Sequence, residues 1–454
     1  MGAAPARVAQ QLSIFQTAKN GNGQGRFAFS DPVMSDNKSL PVHRWVPWIA
    51  GYSASFVDGV ISSYLPNRRA GVILDPFCGV GTTLLQAVRR GYDAVGFEIN
   101  PYPALAARAK LGSPGVNLSE LDSWLAELQK DCAGWRIMPA PPNVIAAPLK
   151  SRLPFFSPAI HHQVLHLLAF TSAIESTLIA SLFRAAFGAV MVSFSNYSYE
   201  PSLTSRPAAG KATIEDADVG QIMLAKLRQM RADIALLQDE TRRQAFGTSR
   251  IINADFFSSD AEVKTGTINL MITSPPYMNN YHYVRNTRPQ LYWLNFISAP
   301  NEHRHLETNN FGQYWQTVRE ADAIGLNFEH RELDRILGLL RETRLEKGAY
   351  GGPGWANYVA AYFNDCYRFM ARLRRVLARG GVGVIVIGNS IIQGQDIRTE
   401  EILSQIGVAQ GLTLEGVHRI REKRVGASIT QSSVRQGERS RAVLSEFAVV
   451  VKKR

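Results

Sequence analysis

The stretch GVILDPFCGVGTTLLQAVRRGYDAVGFEIN, residues 71–100, decides how this chain folds. Val72–Leu74 is a short apolar run bounded by turn formers and reads as a buried strand. Asp75–Gly81 is a glycine-bearing loop, Thr82–Arg90 a helix, and Ala94–Glu98 a second buried strand. Strand, loop, helix and strand in that order make a βαβ unit, which requires a parallel sheet with both faces covered. The expected fold class is therefore α/β.

The loop carries chemistry as well as topology. Gly79 and Gly81 permit a tight turn and a close backbone approach to a ligand. Glu98 ends the next strand, 23 residues after Asp75, where a carboxylate meets ribose hydroxyls in a nucleotide-type site. No lysine follows the glycines, which disfavours a phosphate-gripping loop. An aspartate ahead of the loop suits a ligand with a cationic amino-acid end. S-adenosylmethionine has that end, a sulfonium and a ribose.

Outward from this unit the chain divides into four parts. Residues 1–38 are rich in Gly, Asn and Ser without a sustained period, and read as a flexible segment. Residues 39–110 form the first part of the main domain, with Ser53 or Ser55 capping a helix that runs to about Tyr64. Residues 111–250 read as a largely helical insertion: apolar residues recur at helical spacing over 156–187 and again over 222–237. Residues 251–454 return to the main domain. There INLMIT (268–273) is a buried strand, a helix runs from about Tyr358 to Leu377, and GGVGVIVIGN is another buried strand. Strand-like runs near Leu412–His418 and Val443–Val451, joined by a basic loop, close the chain as a hairpin.

The second chemical signal is MITSPPYMNNYHYVRN, residues 271–286. Ser274, Pro275, Pro276 and Tyr277 follow a buried strand. Two prolines stiffen the backbone and remove two N–H donors, leaving carbonyls to accept. Such a loop suits a planar amine, held by the Ser274 hydroxyl and the Pro275 carbonyl, with Tyr277 available to stack on a ring. None of Cys78, Cys132 and Cys366 follows a proline, which argues against a thiolate attacking a cytosine ring.

Together these two motifs resemble the DNA methyltransferases that modify exocyclic amines, the cytosine-N4 and adenine-N6 families. The resemblance covers about 43–110 and 250–454 and is weakest over 111–250. It implies a Rossmann-like class I methyltransferase: a mostly parallel sheet ending in an antiparallel hairpin, with the helical insertion added. It implies that Asp75, Pro76, Phe77, Cys78, Gly79, Gly81, Thr82 and Glu98 bind S-adenosylmethionine, with Trp45 of the segment HRWVPWIAGYS (43–53) near the methionine part. Asp255 of NADFF (253–257) would reach the adenine. Ser274, Pro275, Pro276 and Tyr277 would be catalytic. A serine in the first position of that tetrad usually marks cytosine-N4 enzymes and an aspartate adenine enzymes. The usual order of such serine enzymes is reversed here, since the cofactor loop comes first.

Fifty Lys/Arg against 38 Asp/Glu give +12, and from Arg419 to Arg454 ten basic residues stand against three acidic ones. A polyanionic partner follows, with double-stranded DNA foremost. Tyr281, Tyr283, Arg285 and Arg288 interleave aromatic and basic groups just after the catalytic loop. With Arg419, Arg421, Lys423 and Arg424 they are the expected nucleic-acid contacts. Hydrophobic residues at 45% and charged residues at 19% fit a soluble globular protein. No run of 18 apolar residues, no leader pattern and no metal-ligand cluster is read, so the expectation is a cytoplasmic protein without membrane or metal. A cognate restriction endonuclease as genetic partner comes from the resemblance alone, and RNA is the alternative substrate.

Overall fold

The computed structural model describes residues 36–48, 51–66, 70–142, 151, 153–200, 202–258, 260–278, 282–299, 301–423 and 444–454. Residues 1–35 of the expected flexible segment, with Tyr281 and Arg424, lie outside the described residues, as does the side chain of Lys423.

The main sheet has seven strands: β1 (Val72–Asp75), β2 (Asp93–Phe97), β3 (Ser249–Ile252), β4 (Ile268–Thr273), β5 (Leu377–Gly388), β6 (Thr413–Lys423) and β7 (Leu444–Lys452). Their spatial order is β3-β2-β1-β4-β5-β7-β6. The first five are parallel; β7 inserts antiparallel between β5 and β6. This is the class I methyltransferase arrangement, with its terminal hairpin. The order reverses between β1 and β4, so the carboxyl ends of these strands open a crevice, the usual place for a ligand in an open α/β sheet. The cofactor loop follows β1 and the Ser-Pro-Pro-Tyr loop follows β4, which brings together two motifs separated by about 190 residues of chain.

The α-helices of eight residues or more are α1 (Ala54–Tyr64), α2 (Thr82–Arg89), α3 (Pro101–Gly112), α4 (Leu118–Cys132), α5 (Pro158–Ser172), α6 (Thr177–Val190), α7 (Val219–Arg243), α8 (Tyr283–Trp293), α9 (Arg331–Glu342), α10 (Gly352–Val376) and α11 (Thr399–Ala409). Local chemistry sets several starts. Ser53 caps α1, accepting from Phe56 N at 3.1 Å. Asn100 caps α3, with Pro101 in the first turn.

Three features differ from the sequence reading. The apolar period over 156–187 is two helices, α5 and α6, because a break at 173–176 lets Ser176 cap the second. The Ser- and Tyr-rich stretch SFSNYSYEPSLTSRPAAGK (193–211), part of the insertion read as largely helical, holds a small hairpin, Tyr197–Tyr199 with Leu203–Ser205. The charged, polar stretch 299–350, in which no element is read from the sequence, contains α9, whose Leu333, Ile336, Leu337 and Leu340 are buried.

The insertion is not a detached unit. Val80, Leu85 and Tyr102 of the cofactor half share one hydrophobic core with Phe156, Phe183 and Leu227 of the insertion and Leu291 of α8. One segment, Thr177–Phe194, is by length and mean hydropathy (1.7) apolar enough to cross a membrane, though Arg184 interrupts it and it is not a run of 18 apolar residues. Half of it is buried inside the fold, and α6 packs between α3 and α7.

Candidate active site

A cleft of about 740 Å³, its open mouth included, runs over the carboxyl ends of β1 to β4. Pro76, Phe77 and Gly79 line it from the cofactor loop, Glu98 and Asn100 from the end of β2, Asp255 and Phe257 from the end of β3. Ser274 and Pro276 complete it from the catalytic loop. Its size suits a nucleoside-scale ligand.

The cofactor loop is shaped for backbone approach. Gly79 and Gly81 have φ of 51° and 84°. A Cβ on Gly79 would stand 3.0 Å from Trp48 Nε1, and one on Gly81 3.0 Å from Ala107 Cβ. Both positions are closed to larger residues by conformation and by space. Glu98 buttresses the turn, accepting from Gly79 N at 3.0 Å and Asn100 N at 2.8 Å. Burial pushes its carboxyl up to about 7, against the pull of these two donors. An acceptor so placed, beside Gly79 in the cleft wall, fits the ribose and amino-acid ends of S-adenosylmethionine.

Several expected contacts are placed elsewhere. The Asp75 carboxylate is 2% exposed and does not line the cleft. It accepts from Thr273 Oγ1 (2.7 Å), Thr83 Oγ1 (2.7 Å), Tyr52 Oη (2.8 Å) and Phe77 N (3.1 Å). Four donors leave it no vacancy for a ligand cation; it holds the loop in place. Cys78 is buried under β2, where Gly96 makes room for it: a Cβ on Gly96 would meet Cys78 Sγ at 2.9 Å. Thr82 is buried in the first turn of α2, and Gly81 packs on α3. Trp45 is fully buried, donating to Asp233 of α7 at 2.9 Å, away from the cleft. Its neighbour Trp48 lines the cleft instead. The two tryptophans were indistinguishable in sequence, because the partner that buries Trp45 lies 188 residues away.

Asp255 does line the cleft, and its carboxylate also takes the Phe257 N–H at 2.8 Å and the Ser258 N–H at 3.0 Å. Asn309, Asn310 and Phe311, unread in sequence, close the same end. Phe311 meets Phe77 edge-on at 5.2 Å and lies nearly parallel to Phe257 at 6.1 Å. An aromatic slot of this kind suits a planar base.

The catalytic loop is held from three sides. Pro276 O accepts from Tyr362 Oη at 3.0 Å, and Met278 O from Ser390 Oγ at 2.9 Å. Among the described residues none donates to the Pro275 carbonyl. Burial pushes the Tyr277 hydroxyl well above its usual range, and the negative charge of Glu446 adds to the shift. Its ring lies against Gly388, where a Cβ would stand 3.0 Å from Tyr277 Cδ2. Tyr277 and Pro275 are not part of the cleft wall.

Of the expected nucleic-acid contacts, Tyr283 lines the cleft and stacks on Trp48 at 6.2 Å. Arg285 is exposed on α8, while Arg288 is half-buried with its guanidinium 5.9 Å from the Tyr292 ring. Arg419 is exposed and sits 3.5 Å from Glu422; Arg421 faces Glu446 at 4.0 Å.

No family model matches the chain. It is 22% identical over 423 residues to the type II methyltransferase M.BsoBI of Geobacillus stearothermophilus, covering 86% of this chain and 82% of that protein. It is 23% identical over 420 residues to the type II methyltransferase M.AvaI of Nostoc sp., covering 84% and 81%. A 70-residue stretch is 34% identical to the type II methyltransferase M.MjaII of Methanocaldococcus jannaschii, covering 15% of this chain and 13% of that protein. Among solved structures, an rRNA methyltransferase, aviRa from Streptomyces viridochromogenes, aligns over 92% of this chain and 93% of its own, with a TM-score of 0.31 and 9% identity. The chain thus resembles type II methyltransferases in sequence over most of its length.

Proposed function

We propose that this protein is a site-specific DNA methyltransferase that methylates the exocyclic N4 amine of a flipped cytosine in double-stranded DNA, using S-adenosylmethionine. The observation that carries the reading is the shared cleft: Ser274 and Pro276 line the same wall as Gly79, Glu98 and Asp255. The type II relatives support DNA as the substrate, and with it a cognate restriction endonuclease as genetic partner in the cytoplasm. The serine at 274 favours cytosine over adenine.

When bound, S-adenosylmethionine supplies an electrophilic methyl on its sulfonium. Glu98 would hold the ribose and Asp255 the adenine, while Trp48 would cover the methionine part. The cytosine amine is a poor nucleophile, because its lone pair is delocalised into the ring. Ser274 Oγ on the cleft wall would accept one of its hydrogens, and the Pro275 carbonyl, outside that wall as the loop now stands, would have to turn toward the base to accept the other; together they would favour a pyramidal nitrogen. These bonds strengthen as positive charge develops on nitrogen, so they act on the transition state more than on the ground state. Flipping the base out of the duplex brings the amine to this loop.

The test is methyl transfer from labelled S-adenosylmethionine to mixed-sequence duplex DNA and to total RNA, with the products digested to nucleosides. N4-methylcytosine in DNA is the expected product. N6-methyladenine would keep the mechanism and overturn the base; label in RNA alone would overturn DNA as substrate. Ser274→Ala should lower kcat about a hundredfold, as loss of one stabilising group typically does, and leave cofactor Kd unchanged. An equal loss of both would sink the role given to Ser274.

A further inference from the structure

A second pocket adjoins the cleft at the Trp48–Tyr283 stack. It measures about 590 Å³, its open mouth included. Trp48 and Tyr283 line both spaces, so the two stacked rings are a shared wall. Tyr102 of α3 and Tyr199 of the insertion hairpin bring two more aromatic side chains. Gly188 and Ala189 of α6 keep one side of the pocket low. At Gly188 the packing demands it, since a Cβ there would run into the Tyr102 ring. Neither the cofactor loop nor the Ser-Pro-Pro-Tyr loop lines this pocket, so it is not the seat of the methylated amine.

One polar group of the wall is left without a partner. Gln290 of α8 is 3% exposed, and its Oε1 is buried with no hydrogen-bond partner among the described residues. Its neighbours fix which way the amide faces. Gln290 Nε2 donates to Gly188 O at 3.1 Å, and a carbonyl can only accept. Tyr199 Oη gives its single proton to Asn286 O at 3.0 Å, so toward Gln290 it too accepts, from Nε2 at 3.4 Å. Both contacts require the amide nitrogen, and the amide oxygen is left over. A buried acceptor without a donor is a standing cost that a ligand N–H would relieve.

We propose that this pocket is a second nucleobase site, taking an unpaired base of the nucleic-acid substrate other than the one methylated. Aromatic side chains suit the face of any base. Each of the four bases carries a ring or exocyclic N–H for Gln290 Oε1. The shared wall puts this site next to the place of transfer, where a displaced neighbour of the target would be at hand. The inference rests on the nucleic-acid reading of the function and deepens it.

The experiment titrates each of the four deoxynucleosides into the full-length protein by calorimetry, with and without saturating S-adenosylhomocysteine. Nucleosides carry no phosphate, so the net charge of +12 does not pull them in. At least one should bind, with S-adenosylhomocysteine leaving its affinity unchanged. Ala189→Trp, which fills the pocket, should weaken that binding about tenfold or more, as loss of a stacked contact does. Gln290→Met, which removes the acceptor at similar volume, should weaken it about fivefold, the worth of one neutral hydrogen bond. It stands in for Ala189→Trp if that variant does not fold. No binding by any nucleoside, or binding unchanged in the folded variants, would overturn the proposal. Competition with S-adenosylhomocysteine would also overturn it, making the pocket an extension of the cofactor cleft. A wild type that methylates no nucleic acid would refute the functional reading only, and the nucleoside titrations would decide this site by themselves.

Discussion

Single residues set the ionic and steric terms of the site. Glu98 is the clearest case. Ribose hydroxyls donate more strongly to a carboxylate than to a carboxylic acid, which keeps only part of its acceptor capacity, so binding favours the ionised form. With the free group near 7, cofactor affinity should rise about tenfold per pH unit up to pH 7 and level off above it. Calorimetric titration across pH 5.5–8.5 checks this, and Glu98→Gln should flatten the profile. Gly388 offers a steric test. A methyl there enters the space of the Tyr277 ring, so Gly388→Ala should depress kcat several-fold while sparing cofactor Kd. Stopped turnover beside ligand binding separates the two. At this scale the sequence was partly legible. Gly79, Glu98, Asp255 and Ser274 announce themselves through motif spacing. Asp75 does not announce its true task, because the hydroxyls that fill it come from three separate segments.

Elements carry the next layer. The short segment that brings Trp48 to the cleft is fastened to the insertion by Asp233, which is fully buried in α7. Asp233 accepts from Val42 N at 2.9 Å, Arg44 Nε at 3.1 Å and Trp45 Nε1 at 2.9 Å. Asp233→Ala strands these donors, at a cost of about 3 kcal/mol, and should loosen Trp48. Denaturant unfolding and cofactor Kd would both show it, the second by a several-fold weakening. The strands β1, β2, β4 and β5 were legible because they are unbroken apolar runs beside turn residues. Edge strand β3 was missed, as SRII gives only four residues with a polar half. Helix α9 was missed because its apolar positions are diluted among charges within a polar stretch.

The whole molecule folds around cores that ignore the sequence boundaries 39–110, 111–250 and 251–454. The insertion shares its core with the cofactor half, so thermal unfolding should be one transition, followed by calorimetry; a separate early transition for 111–250 would contradict the shared core. Net charge acts at the same scale. With +12 overall, binding to duplex DNA should weaken linearly in log–log fashion with salt, by about 0.9 per neutralised phosphate, irrespective of sequence. Fluorescence anisotropy from 50 to 300 mM salt measures the slope. The charge was legible from composition; which arginines serve was not, since Arg421 turns toward Glu446. The Asp75 carboxylate has a further consequence. It grips Phe77 of one loop and Thr273, the residue before Ser274, of the other. Whatever tightens one loop is felt by the other through a single rigid knot. Reciprocity then fixes one relation: the factor by which a bound cofactor changes polynucleotide affinity must equal the factor by which a bound polynucleotide changes cofactor affinity. Measuring either affinity with and without the other ligand reads how much of that coupling the knot carries.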